Sequence, residues 1–96
     1  MSDLTFDVEE TASGGRFTAT DGTGTAELTF SKAGDTRIIA DHTGVPSAMG
    51  GQGVGTKLVR ELHDYAKKRD LKVVATCPFV RAKMAEHPEW RDVLDR

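Results

Sequence analysis

The stretch Gly50-Gly51-Gln52-Gly53-Val54-Gly55-Thr56-Lys57 concentrates four glycines in six positions. Glycines let a backbone pass close to a ligand, and N–H groups exposed at the start of a helix attract anions. Phosphate or pyrophosphate is the natural guest. Two better-known phosphate loops fail on counting. The Walker pattern places its lysine directly after the last glycine, yet Thr56 separates Gly55 from Lys57. A dinucleotide fingerprint needs a glycine three residues after Gly53 or Gly55, where Thr56 and Leu58 stand, and the chain is too short for a doubly wound fold. The plain alternative is a flexible loop that caps a helix.

A few side chains could move protons or form covalent bonds. Cys77, the one cysteine, could act as an acid or a nucleophile if its pKa were lowered, and is otherwise a small buried residue. His42 has the intrinsic pKa of a base at neutral pH. Asp41, expected on the opposite face of the same strand, and Glu27, on the neighbouring strand, are the substitutes. His63 lies in a charged helical stretch and His87 reads as a cap before Pro88, so both are expected to be structural or solvated. The three histidines and the cysteine match no metal-ligand spacing.

Periodicity supplies the elements that must position these residues. Leu4, Phe6 and Val8 alternate with polar neighbours, Ser13-Gly14-Gly15 breaks the run, and Phe17 and Ala19 resume it, which predicts two strands joined by a turn. Asp21-Gly22-Thr23-Gly24 is a second turn signal, after which Ala26, Leu28 and Phe30 alternate as a third strand. Arg37-Ile38-Ile39-Ala40 is apolar on both faces, as expected of a central strand covered on both sides. From Val54 the period changes: Leu58, Val59, Leu62, Tyr65 and Ala66 recur at helical spacing and Lys67-Lys68-Arg69 closes the run, predicting a helix of about four turns. Leu71, Val73, Val74 and Ala75 make a fifth strand and Pro78 ends it. Strand, glycine loop, helix and strand then form a right-handed parallel crossover. Phe79, Val80 and Met84 suggest a short helix, and Pro88 with Trp90, Val93 and Leu94 a last one.

The glycine loop resembles motif A of the GNAT N-acetyltransferase superfamily, Gln/Arg-x-x-Gly-x-Gly/Ala, with Val45 ending the fourth strand and Gly53-Val54-Gly55 opening the helix. Asp41-His42-Thr43-Gly44-Val45-Pro46 before the loop is similar to the small single-domain GNAT-like acetyltransferases. So are the run from Leu71 through Cys77-Pro78-Phe79-Val80 and His87-Pro88-Glu89-Trp90 after the helix, and the likeness covers residues 17 to 94. It implies an α+β fold: a mostly antiparallel five-stranded sheet with one parallel crossover at the coenzyme A site and short C-terminal helices. It also implies acetyl-coenzyme A as co-substrate and an amine as acceptor. By the resemblance, the backbone of Val45 meets the pantetheine arm where the fourth and fifth strands splay, and Gly51, Gln52, Gly53, Val54, Gly55 and Thr56 cradle the pyrophosphate.

The same likeness places Cys77 beside the thioester, as acid or acyl acceptor, and offers His42 as the base. One of Lys57, Arg81 and Lys83 would meet the ribose phosphate. At the Gln/Arg position of the motif this chain has Gly50, and Gln52 substitutes only in part. The acid that many members draw from a tyrosine after the fifth strand has no counterpart, because Tyr65, the one tyrosine, lies on the apolar face of the long helix. A non-catalytic acyl-coenzyme A binding or sensing module, or an interaction domain whose loop binds nothing, are the rival readings.

Composition narrows the class. With 96 residues and 38% hydrophobic content, one domain with a thin core is expected. No apolar run exceeds three residues and the N-terminal stretch is acidic and alternating, so neither a bilayer span nor an export signal is expected. A lone cysteine fits a reducing, cytoplasmic setting. A net charge of -2 argues against a general nucleic-acid binder. Residues 1 to 48 hold three Lys/Arg against eight Asp/Glu, and residues 49 to 96 hold ten against seven, so an anionic ligand is better received by the second half.

Overall fold

The computed structural model describes residues 4–50 and 53–95. Gly51 and Gln52, both expected in the phosphate cradle, lie outside the described residues. Five strands form one sheet in chain order: β1 (Thr5–Glu10), β2 (Gly14–Thr20), β3 (Thr25–Ala33), β4 (Arg37–Gly44) and β5 (Lys72–Ala75). The first four are antiparallel meander neighbours, and β5 runs parallel to β4. The crossover between β4 and β5 carries a 3₁₀ turn (Ser47–Met49) and helix α1 (Val54–Lys68). Helix α2 (Pro78–Glu86) and a 3₁₀ helix (Pro88–Val93) follow, giving the mixed α+β architecture expected.

The period-2 pattern places Phe17, Ala19, Ala26, Leu28, Phe30, Ile38, Ala40, Val73 and Ala75 on one buried face. Against it α1 lays Val54, Leu58, Val59, Leu62 and Ala66. Burying each such Val or Leu side chain stabilises by about 1.5–3 kcal/mol. The helix ends by a Schellman arrangement, Leu71 N–H to Ala66 C=O at 2.8 Å and Asp70 N–H to Lys67 C=O at 3.3 Å, with Asp70 in the left-handed region at φ 57°. The last residues return beside the sheet, where Asp95 N–H donates to Val73 C=O at 2.8 Å. No helix among the described residues is long and apolar enough to cross a membrane.

The structure corrects what was expected of β4. β4 is not covered on both sides: Ile38 is buried but Ile39 is only half-buried, because α1 and α2 pack on the same face of the sheet as Ile38. The opposite face is polar, with Thr18, Glu27, Thr29 and Ser31 half-exposed. The strand also ends at Gly44, leaving Val45 one residue beyond it. A further correction concerns the register of β4 on β3, which jumps from Thr29↔His42 to Phe30↔Ala40, so Asp41 is the extra residue of a β-bulge. Simple alternation put Asp41 and His42 on opposite faces. The bulge turns both to the polar face, where the Asp41 carboxylate accepts from Thr29 Oγ1 at 2.6 Å and Ser31 Oγ at 3.1 Å.

Candidate functional site

β4 and β5 pair only from Arg37↔Lys72 to Ala40↔Ala75. There the Ala40 carbonyl takes three donors at once, Thr76 N–H, Cys77 N–H and Thr76 Oγ1, each at 3.1 Å. Beyond that point β4 runs on to Gly44 against β3 alone, and the two strands part. Just past the end of β4, at Val45, lies a cleft of about 280 Å³ lined by Val45, Met49, Gly53, Gly55, Phe79 and Lys83. Met49 is its buried floor, while Val45 and Phe79 are the exposed apolar rims.

Helix α1 starts at this cleft. Its first intrahelical bond runs from Lys57 N–H to Gly53 C=O at 3.0 Å, which leaves the N–H groups of Val54, Gly55 and Thr56 without helical partners. Gly53 has no side chain to cap them, and the first turn holds no acidic residue. Gly53 sits at φ 67° with nothing among the described residues within 4 Å of an added Cβ, so its role is conformational. Gly55 is different. An added Cβ would stand 2.6 Å from the tip of the Phe79 ring, so this glycine admits α2 against α1.

Cys77 immediately precedes α2 and is buried. Its sulfur lies 3.6 Å from Thr43 Oγ1. Burial pushes the thiol pKa up, but the N–H groups of Val80, Phe79 and Thr43 and the Thr43 hydroxyl outweigh it, so the net direction is below the ordinary thiol value. None of these makes a side-chain cap of standard geometry; they act by aiming positive charge at the sulfur. Thr43 was not singled out from sequence. The bulge places it on the helix-covered face, opposite Leu28.

His42 is exposed on the other face. Its Nε2 is 4.0 Å from Glu27 Oε2, and Gly44 leaves room for the ring, since an added Cβ there would be 3.3 Å from Nε2. Glu27 also meets Arg16 at 3.4 Å. Cys77 and His42 therefore flank the end of β4 from opposite sides, and among the described residues no hydrogen bond joins them.

The remaining candidates separate. Lys83 lines the cleft, whereas Arg81 is turned away to the Ala75 carbonyl at 3.3–3.4 Å. Lys57 lines a neighbouring depression with Thr56, Arg60, His87, Glu89 and Trp90. His63 is buried rather than solvated, with Nδ1 3.0 Å from Asp64 and Nε2 2.9 Å from Asp92. His87 occupies the expected cap position but makes no cap bond, and stacks on Trp90 at 4.1 Å. Tyr65 roofs Phe17 and Phe30 and donates to Glu10 Oε1 at 2.6 Å, far along α1 from the glycines.

The family model described as GCN5-related N-acetyl-transferase matches residues 16–93. The chain belongs to this family. The relation extends to protein NATD1 of Xenopus tropicalis, 30% identical over 63 residues, which are 66% of this chain and 58% of that protein. NATD1 of Mus musculus matches at 30% over 63 residues, 57% of its length. The chain thus spans less than two thirds of the relatives it matches. Among solved structures, the NMR structure of a GCN5-like candidate N-acetyltransferase from Staphylococcus aureus superposes with a TM-score of 0.71 at 30% identity, covering 93% of this chain and 87% of that one. The GNAT-type fold expected from motif A is therefore the fold of this chain.

Proposed function

We propose that this single minimal domain is an acetyl-coenzyme A dependent N-acetyltransferase acting on an amine. One observation carries the reading: an uncapped helix start opens on a cleft whose rims, Val45 and Phe79, directly follow the parted end of β4 and the buried Cys77-Pro78 start of α2. The residues fit the coenzyme. Gly51, Gln52 and Gly53 with the N–H groups of Val54, Gly55 and Thr56, which have no helical partners, would cradle its pyrophosphate. Val45 and the edge of β4 beyond Ala40 would take the amide-bearing arm, which needs backbone partners of the kind a parted strand offers.

Acetyl-coenzyme A supplies its acetyl group already activated as a thioester. The N–H groups around Cys77 favour the thiolate, and Cys77 beside the cleft is assigned as acyl acceptor: its sulfur would bond the acetyl carbon while the carbon–sulfur bond to the coenzyme breaks and coenzyme A leaves as its thiolate, and attack of the amine nitrogen on that carbon would then break the Cys77 thioester and return the thiolate. His42, on the open face of the sheet, takes the proton that the attacking ammonium gives up.

Calorimetry with acetyl-coenzyme A tests the reading. Binding heat is expected in the wild type and loss of it in Gly53→Val, because a β-branched residue at φ 67° carries strain of about 1–3 kcal/mol. No heat at millimolar coenzyme would overturn it. Incubation with a broad amine panel should then release free coenzyme A in step with acetylated product. Coenzyme that binds but is never consumed would leave a non-catalytic acyl-coenzyme A binding module.

A further inference from the structure

The bulge in β4 decides which side chain reaches Cys77. Had β4 kept the pairing it holds at Phe30↔Ala40, Asp41 would oppose Thr29, His42 would oppose Leu28 and Thr43 would oppose Glu27. A one-residue slip exchanges the two faces of a strand. In that arrangement the imidazole would stand beside Leu28, which is fully buried, and Thr43 would turn to the polar face. The observed register is the reverse, with His42 opposite Thr29 and Thr43 opposite Leu28. One extra residue therefore brings the Thr43 hydroxyl to 3.6 Å from the Cys77 sulfur.

Asp41 is that residue, and both oxygens of its carboxylate are used. Oδ1 accepts from Thr29 Oγ1 at 2.6 Å, and Oδ2 accepts from Ser31 Oγ at 3.1 Å. The register shifts between Thr29 and Phe30, so the two hydroxyls stand on either side of the step. The carboxylate ties the unpaired residue to both sides with charge-assisted hydrogen bonds. No positive φ locks the bulge in place, since Asp70 is the one non-glycine residue in that region among the described residues. Just before the bulge, the Ala40 carbonyl accepts from the Cys77 N–H at 3.1 Å. The two backbones are thus fixed to each other there, and the step at Asp41 sets whether Thr43 then faces the sulfur or turns away from it.

We infer that Asp41 is a positioning residue: by holding the bulge, it seats the Thr43 hydroxyl beside the Cys77 sulfur. What this serves chemically rests on the acyl-acceptor reading of Cys77, whereas the placement can be tested with no coenzyme present.

Cys77 is the one cysteine, so cysteine labelled with ¹³C at Cβ gives a single resonance whose shift with pH reports the thiolate. Asp41→Ala should lower the acid dissociation constant of the thiol about 3- to 10-fold, the scale of one hydrogen bond. Removing a negative charge would by itself move the midpoint the other way, so the sign separates positioning from simple electrostatics. Thr43→Val should give the same shift as Asp41→Ala, and the double substitution should go no further than either, because both act through one contact. Asp41→Asn keeps an acceptor for Thr29 and a partner for Ser31, and should titrate close to the wild type. Thr29→Val/Ser31→Ala cuts the same two hydrogen bonds from β3 and should reproduce the shift, which decides the matter if Asp41→Ala does not fold. A midpoint at or below the wild-type value in the variants that cut these bonds, or shifts that add in the double variant with Thr43→Val, would overturn the assignment. Absence of an acetyl adduct on the wild type would sink the acyl-acceptor reading instead and leave these titrations as they stand.

Discussion

The two ends of α1 carry depressions of nearly equal size, about 280 Å³ at the glycine end and about 270 Å³ near Tyr65, but the groups around them differ. Near Tyr65, Glu10 accepts from the tyrosine hydroxyl at 2.6 Å, Lys32 at 3.0 Å and Arg69 at 2.9 Å, and Arg37 is held by Asp95 at 2.5 Å. At the glycine end, the first N–H groups of α1 have neither a side-chain cap nor an acidic residue in the first turn. Volume does not separate a ligand site from a gap between ion pairs. A helix start does, because its first N–H groups have no helical partners and can donate to an anion.

If that division holds, substitutions at one end change function and those at the other change only stability. The largest effect is expected at Cys77. Cys77→Ala should lower turnover by on the order of 10- to 10⁴-fold while coenzyme affinity stays near wild type, the signature of an interaction made in the chemical step. Intact-mass spectra after brief incubation should show one acetyl adduct that this substitution abolishes. A slower enzyme without an adduct would make the thiol a proton donor, and unchanged turnover would return it to core packing.

A smaller effect is expected at Gly55. Alanine there pushes the Phe79 ring, 2.6 Å from the new Cβ, into the cleft. The better helix propensity of alanine, up to about 1 kcal/mol, offsets local crowding. Tm should therefore hardly change while coenzyme affinity falls about 10-fold, and Phe79→Ala in the same chain should restore most of it. A loss of Tm with affinity intact would move Gly55 to the structural side of the comparison.

The smallest functional effect belongs to the opposite end. Burial, then the hydrogen bond to Glu10, pushes the Tyr65 hydroxyl up to about 12 from 10.0. Its contribution to stability is thus fully present below pH 10 and lost as pH rises through about 12. Glu10 moves the other way: hydrogen bonds from Tyr65 and Lys32 hold its carboxyl below the ordinary 4.5, so its contribution is present above that value and lost as pH falls. Tyr65 is the one tyrosine, and phenolate absorbance reports it alone. Its midpoint should drop in Glu10→Gln, with a slight loss of Tm and unaltered coenzyme affinity. Weakened coenzyme binding in that variant would break the division.

The sequence carried the strands, the long helix and the glycine loop because each is marked locally, by period 2, by helical spacing or by turn residues. What escaped depends on contacts distant in the chain. The bulge at Asp41 bears no glycine or proline; it is held by Thr29 and Ser31 across the sheet. His63 is structural, one of the two readings its charged stretch allowed, and what decides between them is Asp92, 29 residues on. The crowding at Gly55 also escaped, because the atoms that forbid a side chain there belong to Phe79.

The three donors gathered on the Ala40 carbonyl have a kinetic meaning. Strand pairing stops there by its own hydrogen-bond arithmetic, so the gap beyond it exists before anything arrives. An extended, amide-bearing chain sliding in would form new hydrogen bonds without first breaking old ones. Association should therefore lack a slow opening step, with an observed rate that climbs linearly with ligand concentration and never reaches a plateau.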